Sequence, residues 1–214
     1  MSQLQPEQIM SALVDSCTHT GRRPSSLAAF ARQVEFPEDT VRVLFPGLMP
    51  LDQAIFRWFW DESVRLIQAE PGYAEYSLQE RLLTLYYTLF ALLAANQSYV
   101  QLSLSPLSGL LRLNRLQQAF AQELPALLGL PDAQEPLTQL RTRVTIHTLW
   151  LQFLTLLAFW LQDRSVDRAR SDALIETSVA ALFEIRAAFQ FQQTAAWLRF
   201  WAEELAERQW RLRA

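Results

Sequence analysis

IMSALVDSCTHTGRRPSSLAAFARQVEFPEDTVRVLFPGLMPL, residues 9–51, is the stretch on which the fold turns. Residues 7–20 read as a first helix, because Ile9, Ala12, Leu13 and Cys17 recur at helical spacing. Gly21 ends it as a left-handed stop. Arg22-Arg23-Pro24 then leads to Ser25 and Ser26, either of which can cap a short helix over Leu27–Gln33. Val34-Glu35-Phe36 makes a tight break. Pro37 suits the first turn of a third helix, where its missing N–H is not needed. Glu38 and Asp39 favour that helix's positive end, and Phe45-Pro46-Gly47 stops it after Leu44. Two short helices joined by so brief a turn, with a third ahead of them, predict a helix-turn-helix unit.

Outward from that unit the chain stays helical. Pro50–Ala69 is a longer segment carrying Phe56, Trp58, Phe59 and Trp60 on several sides, as a helix joining a head to a body would. Residues 77–96 are apolar almost all round. The stretch 97–136, with Pro106, Gly109, Pro125, Gly129, Pro131 and Pro136, has room for two or three shorter helices. A long helix follows over 137–162 and breaks at Asp163-Arg164-Ser165, with Asp167 in the next first turn. Residues 168–214 contain neither Gly nor Pro and read as one or two helices, with a bend near Phe189–Thr194. No segment alternates apolar and polar residues between turn clusters, so strands have no support. The expectation is an all-α chain in two parts, a head over 1–50 and a larger helical body over 51–214.

Composition narrows the function classes. One cysteine, Cys17, excludes an intramolecular disulfide and a cysteine metal cluster; its spacing makes it a small core residue. The two histidines lie far apart and form no local zinc signature. The five glycines are too scattered to cradle phosphate, and no nucleophile motif is present. Neither an enzyme nor a cofactor is expected. The amino terminus, MSQLQPEQ, lacks the plan of a secretory signal. The longest apolar run, Leu82 to Ala95, falls short of the about 20 residues that span a bilayer. The reading is a cytoplasmic protein with no stable membrane insertion.

The joint placement of Gly21, Ser25, Leu27, Phe30, Ala31, Thr40, Val41, Phe45 and Leu51 resembles the TetR family of bacterial regulators, in register and without a gap. The departures are Glu35 in place of a turn glycine, Pro37-Glu38 in place of a capping serine and its neighbour, Arg42-Val43-Leu44 in place of an aromatic-rich end, and Gly47-Leu48 in place of Ser-Lys. The resemblance implies DNA contact, with Thr40 and Arg42 reaching the groove while Arg22, Ser25 and Ser26 touch phosphate. The charges pull the other way. Over residues 1–60 five arginines (22, 23, 32, 42 and 57) face six acids (7, 15, 35, 38, 39 and 52), and DNA affinity rests largely on neutralising phosphates. Two readings therefore stand: a head that binds an operator, and a head retained only as packing structure.

In the body, the resemblance implies a pocket for a small apolar ligand, and Tyr86, Tyr87, Phe90, His147 and Trp150 are its candidate lining; the other reading is that these residues fill a core. The run Trp160–Asp167, followed by Ile175, is similar to the last helix junction of some TetR-like proteins. It is also similar to the TetR-fold lipid-binding accessory proteins of ubiquinone biosynthesis. Both imply a homodimer through residues 140–162 and 168–188, and the second offers an alternative function, holding a lipid or isoprenoid. Near the carboxyl end, Trp197, Trp201, Trp210 and several arginines form a helix suited either to a membrane surface or to docking on the protein itself.

Overall fold

The computed structural model describes residues 4–104, 107–130 and 136–184, and among these no strand occurs. Helix α1 (Pro6–Thr20) starts where the Gln5 backbone N–H donates to Gln8 Oε1 at 2.9 Å. It ends on Gly21, left-handed at φ 63°, whose N–H bonds the Cys17 carbonyl. Helix α2 (Leu27–Gln33) is capped by Ser26, whose Oγ accepts from the Ala29 N–H at 3.1 Å. Helix α3 (Glu38–Leu44) begins one residue later than Pro37, because Pro37 has an extended ψ of 117° and serves as the entry residue.

The α2–α3 turn is closed by the Phe36 N–H on the Ala31 carbonyl at 2.9 Å. That closure puts Glu35 at φ 58°, the left-handed region in which a Cβ crowds the following carbonyl. A glycine would adopt this conformation at ease, whereas the glutamate is strained in it.

Helix α4 (Leu48–Gln68) begins two residues ahead of Pro50, which its first turn tolerates because N–H groups there have no helical partner. Its buried face is broad. Leu51, Ile55 and Phe59 run along one side, with Phe56, Trp60 and Ile67 beside them. Accordingly it packs on α1, α5 (Leu78–Ala95), α7 (Asn114–Leu127) and the 3-10 segment Leu107–Leu113. The capping box of α5 pairs the Ser77 N–H with Glu80 Oε2 at 2.7 Å and the Glu80 N–H with Ser77 Oγ at 3.3 Å. Helix α6 (Gln97–Leu104) follows after a single residue.

Helix α8 (Pro136–Gln162) turns Leu149, Phe153, Leu156 and Trp160 inward, and their rings and branches complete the core. Its other side leaves Leu140 58%, Val144 58% and Leu151 50% exposed. Over Thr138–Gln162 this helix, and not the Leu82–Ala95 run, is long and apolar enough to cross a membrane by length and composition.

The break after α8 is built on Asp163. Its carboxylate accepts from the backbone N–H and hydroxyl of Ser171, at 2.9 and 2.6 Å, and from those of Ser165, at 2.9 and 2.7 Å. These bonds hold it well below the usual carboxylate range. Arg168 lies 3.6 Å over the Trp160 ring and donates to the Trp160 carbonyl. A further helix, α9, covers residues 169–184 as far as the described residues go. Asp167 falls in the connecting 3-10 turn, ahead of α9. The bend at Phe189–Thr194, the last residues of the 168–188 seam and the Trp/Arg helix lie outside the described residues.

Replacing Glu35 by Gly removes the strained Cβ at the cost of some unfolded-chain entropy. The expected outcome is a gain of up to about 1 kcal/mol in stability, read as a higher urea midpoint with an unchanged slope.

Candidate functional site

The outward face of the head starts from α3. A seven-residue helix that buries only Val41 must turn most of its side chains to solvent. Thr40 is half-buried at its edge, Arg42 is exposed, and Val43 stands 84% exposed on the side opposite Val41. Arg42 donates to the Glu38 carboxylate one turn back, so its charge is partly answered within the helix. Arg22, Ser25 and Ser26 are all exposed on the approach to α2. Ser26 already uses its hydroxyl oxygen as the helix cap, whereas Arg22 points to no ion partner among the described residues.

Arg23 behaves differently from its neighbour. Its guanidinium turns inward and donates to Asp52 Oδ2 at 2.6 Å and to the Ser103 hydroxyl. Asp52 is fully buried in the second turn of α4. Arg112 donates to the same oxygen at 2.8 Å, and the Tyr99 hydroxyl donates to the other, Oδ1, at 2.8 Å. Arg112 also reaches the Ser103 carbonyl at 2.9 Å. One carboxylate thus ties the α1–α2 loop to α4, α6 and the 3-10 segment. Burial, reinforced by the Asp52 charge, pushes the Tyr99 phenol well above its ordinary value, so it remains a donor. Burial alone would lower Arg23, yet Asp52 holds it above its usual range. Cys17 sits close to this charge cluster, fully buried, with burial raising its thiol.

The sequence carried one clue to this network. Asp52 falls on the apolar stripe of α4, between Leu51 and Ile55, where an acid needs partners. Nothing in the local sequence separates Arg23 from Arg22.

The five candidate ligand residues are placed in three surroundings. Tyr86 is buried, and its hydroxyl lies 3.2 Å from both the Leu149 carbonyl and Gln152 Oε1. Phe90 packs against Phe153 and Trp160 in the same core. Tyr87 is half-buried and donates to Glu176 Oε1 of α9 at 2.8 Å. His147 and Trp150 come together in a groove of about 220 Å³ between α7 and α8, with Phe120, Pro125 and Ile146. Trp150 is mostly buried there against Phe120 and Phe153, while His147 is exposed at the rim. Pro125 lies inside α7 and has no N–H to give the carbonyl one turn back, which is the local irregularity beside the groove.

A helix-turn-helix head presenting a short outer helix, carried on an all-helical body, defines the architectural class. The particular family follows from comparison. The family model described as "Tetracyclin repressor-like, C-terminal domain" matches residues 81–194, more than half of the chain, and the chain belongs to the TetR family. A crystal structure of a tetR-family transcriptional regulator from Streptomyces coelicolor is similar in fold, with a TM-score of 0.54 at 20% identity, covering 86% of this chain and 85% of that one. No curated protein matches the chain.

Asp52→Ala strands two half-buried guanidiniums and one buried phenol. The expected loss is about 3–5 kcal/mol in urea unfolding, whereas Tyr99→Phe, which removes one donor, costs about 1–3 kcal/mol.

Proposed function

We propose that the protein is a transcriptional regulator rather than an enzyme, acting in the cytoplasm, that grips a DNA operator as a homodimer. In this reading residues 1–50 are the DNA-binding head and 51–214 the body. The carrying observation is the outer face of α3, where Thr40, Arg42 and Val43 stand away from the buried Val41. Arg22, Ser25 and Ser26 flank it on the phosphate side.

The dimer follows from the free side of α8. Leu140, Val144 and Leu151 fall on one stripe at helical spacing, with Thr148 and Thr155 continuing it. A stripe of that kind on a helix whose opposite side is buried in a core is what a second copy covers. The seam runs through residues 140–162 and continues over 168–188, and pairing of two such helices accounts for the apolar length of α8 without a bilayer. The groove of His147 and Trp150 is the seat we assign to a small apolar effector.

One specific observation favours the second reading, a TetR-fold protein that holds a lipid or isoprenoid and has left DNA behind. Arg23 is spent on Asp52, and Arg42 is paired with Glu38. The same observation quantifies the first reading. Each head offers Arg22 and Arg42 to phosphates, so a dimer displaces few counterions, and the slope of log K against log salt is about −4.

Fluorescence anisotropy with genomic fragments at low and moderate salt tests this, and sequence preference with that shallow slope is the expected result. Absence of preference at every salt concentration, together with a long-chain ligand seen by native mass spectrometry, overturns the DNA reading in favour of the second. Glu38→Gln releases Arg42 from its pair within the helix and removes a repelling charge; operator affinity rises several-fold at fixed salt, with the slope staying at about −4 because Arg42 is already among the contacts.

A further inference from the structure

Where α1 crosses α4, at the end of α5, the surface opens into a crevice of about 290 Å³, close to the lower limit of about 300 Å³ for small-molecule sites. Its floor is apolar. Met10 and Val14 come from α1, and the buried Ile55 comes from α4. One wall is the Trp58 indole, which remains 41% exposed although a tryptophan normally covers most of its rings.

Three independent features give this crevice a negative potential. Glu7 and Asp15 both line it, and among the described residues neither has an ion-pair partner. Glu7 is partly answered by the amino end of α1, but Asp15 accepts only the Ser11 hydroxyl on its side chain. Asn96, also in the lining, closes the eighteen-residue α5, so the negative pole of that helix ends here. The Asn96 amide nitrogen is used on the Leu92 carbonyl, leaving its oxygen as the group to offer. The face of the Trp58 indole attracts cations as well. In a chain whose nineteen positive charges are all arginine, none of the described lining residues is basic.

We propose that this crevice is a binding site for a small organic cation, an ammonium carried on an aryl or alkyl body. The charge is received by Asp15, Glu7 and the Trp58 ring, and the apolar part lies on Met10, Val14 and Ile55. The site is separate from the α7–α8 groove. It is bounded by α1 from the head and by α4 and α5 from the body, so an occupant favours those conformations in which these surfaces keep their present separation. The binding claim stands without DNA; its regulatory consequence rests on the DNA-binding reading.

The test is isothermal titration of the full-length protein with benzyltrimethylammonium, with benzyl alcohol as the uncharged counterpart. One saturable site per chain is expected, with the alcohol binding about tenfold more weakly. Trp58→Leu weakens the cation about tenfold, and the double variant Glu7→Gln, Asp15→Asn does so by a similar factor. All three side chains are exposed in the parent protein, and circular dichroism verifies that each variant folds. No saturable heat at millimolar probe, equal binding of the alcohol, or undiminished binding in both variants overturns the proposal. Anisotropy with and without the cation then reads the regulatory arm. Cation binding without any operator binding counts against the DNA reading and leaves the site in place.

Discussion

A carboxylate sealed inside a protein is tolerable only if donors surround it, and Asp52 has three: two guanidiniums and a phenol, all within 2.8 Å. The donors come from segments far apart in the chain, so the arrangement of head on body is specified by the chemistry of one side chain. An apolar contact between the same segments would permit sliding; an ion set with fixed directions does not. A second and more exposed tie follows the same logic, with Arg57 and the Trp60 indole N–H both donating to Glu123 of α7. Helix α4 therefore holds the body on one flank and the head on the other.

The head is built with little margin. Helices α2 and α3 have seven residues each, too few to be stable alone, and they persist because they pack on each other and bury Leu27, Phe30, Ala31 and Val41 in the core. The strain at Glu35 is borne by that packing. A short helix held by one buried valine on its inner side leaves the opposite side unconstrained by folding, which suits a surface whose residues answer to a partner.

Much of the fold was legible from local chemistry. The Ser25-Ser26 pair places α2 at Leu27–Gln33 from the sequence alone, with the structure choosing Ser26 as the cap, and Gly21 marks the end of α1 for the reason the structure displays. Asp163 and its serines mark the break after α8. The site was less legible because adjacent residues of one type part company in space. Arg22 faces solvent while Arg23 seeks a buried acid; Tyr86 points into the core while Tyr87 meets α9. Periodicity identifies which residues share a face, but it does not tell which of two apolar faces of α8 meets its own core. Leu149 and Leu151 read alike in sequence, and only the packing of Phe120 and Phe153 separates the inner from the outer.

The turn between α8 and α9 has a consequence for assembly. Four hydrogen bonds on Asp163 and the Arg168 guanidinium stacked on Trp160 make the two helices a preformed hairpin, with its angle set inside each chain. In the proposed homodimer, two hairpins whose turns are already fixed within each chain would have little backbone left to order on meeting, which keeps the entropic toll of association small.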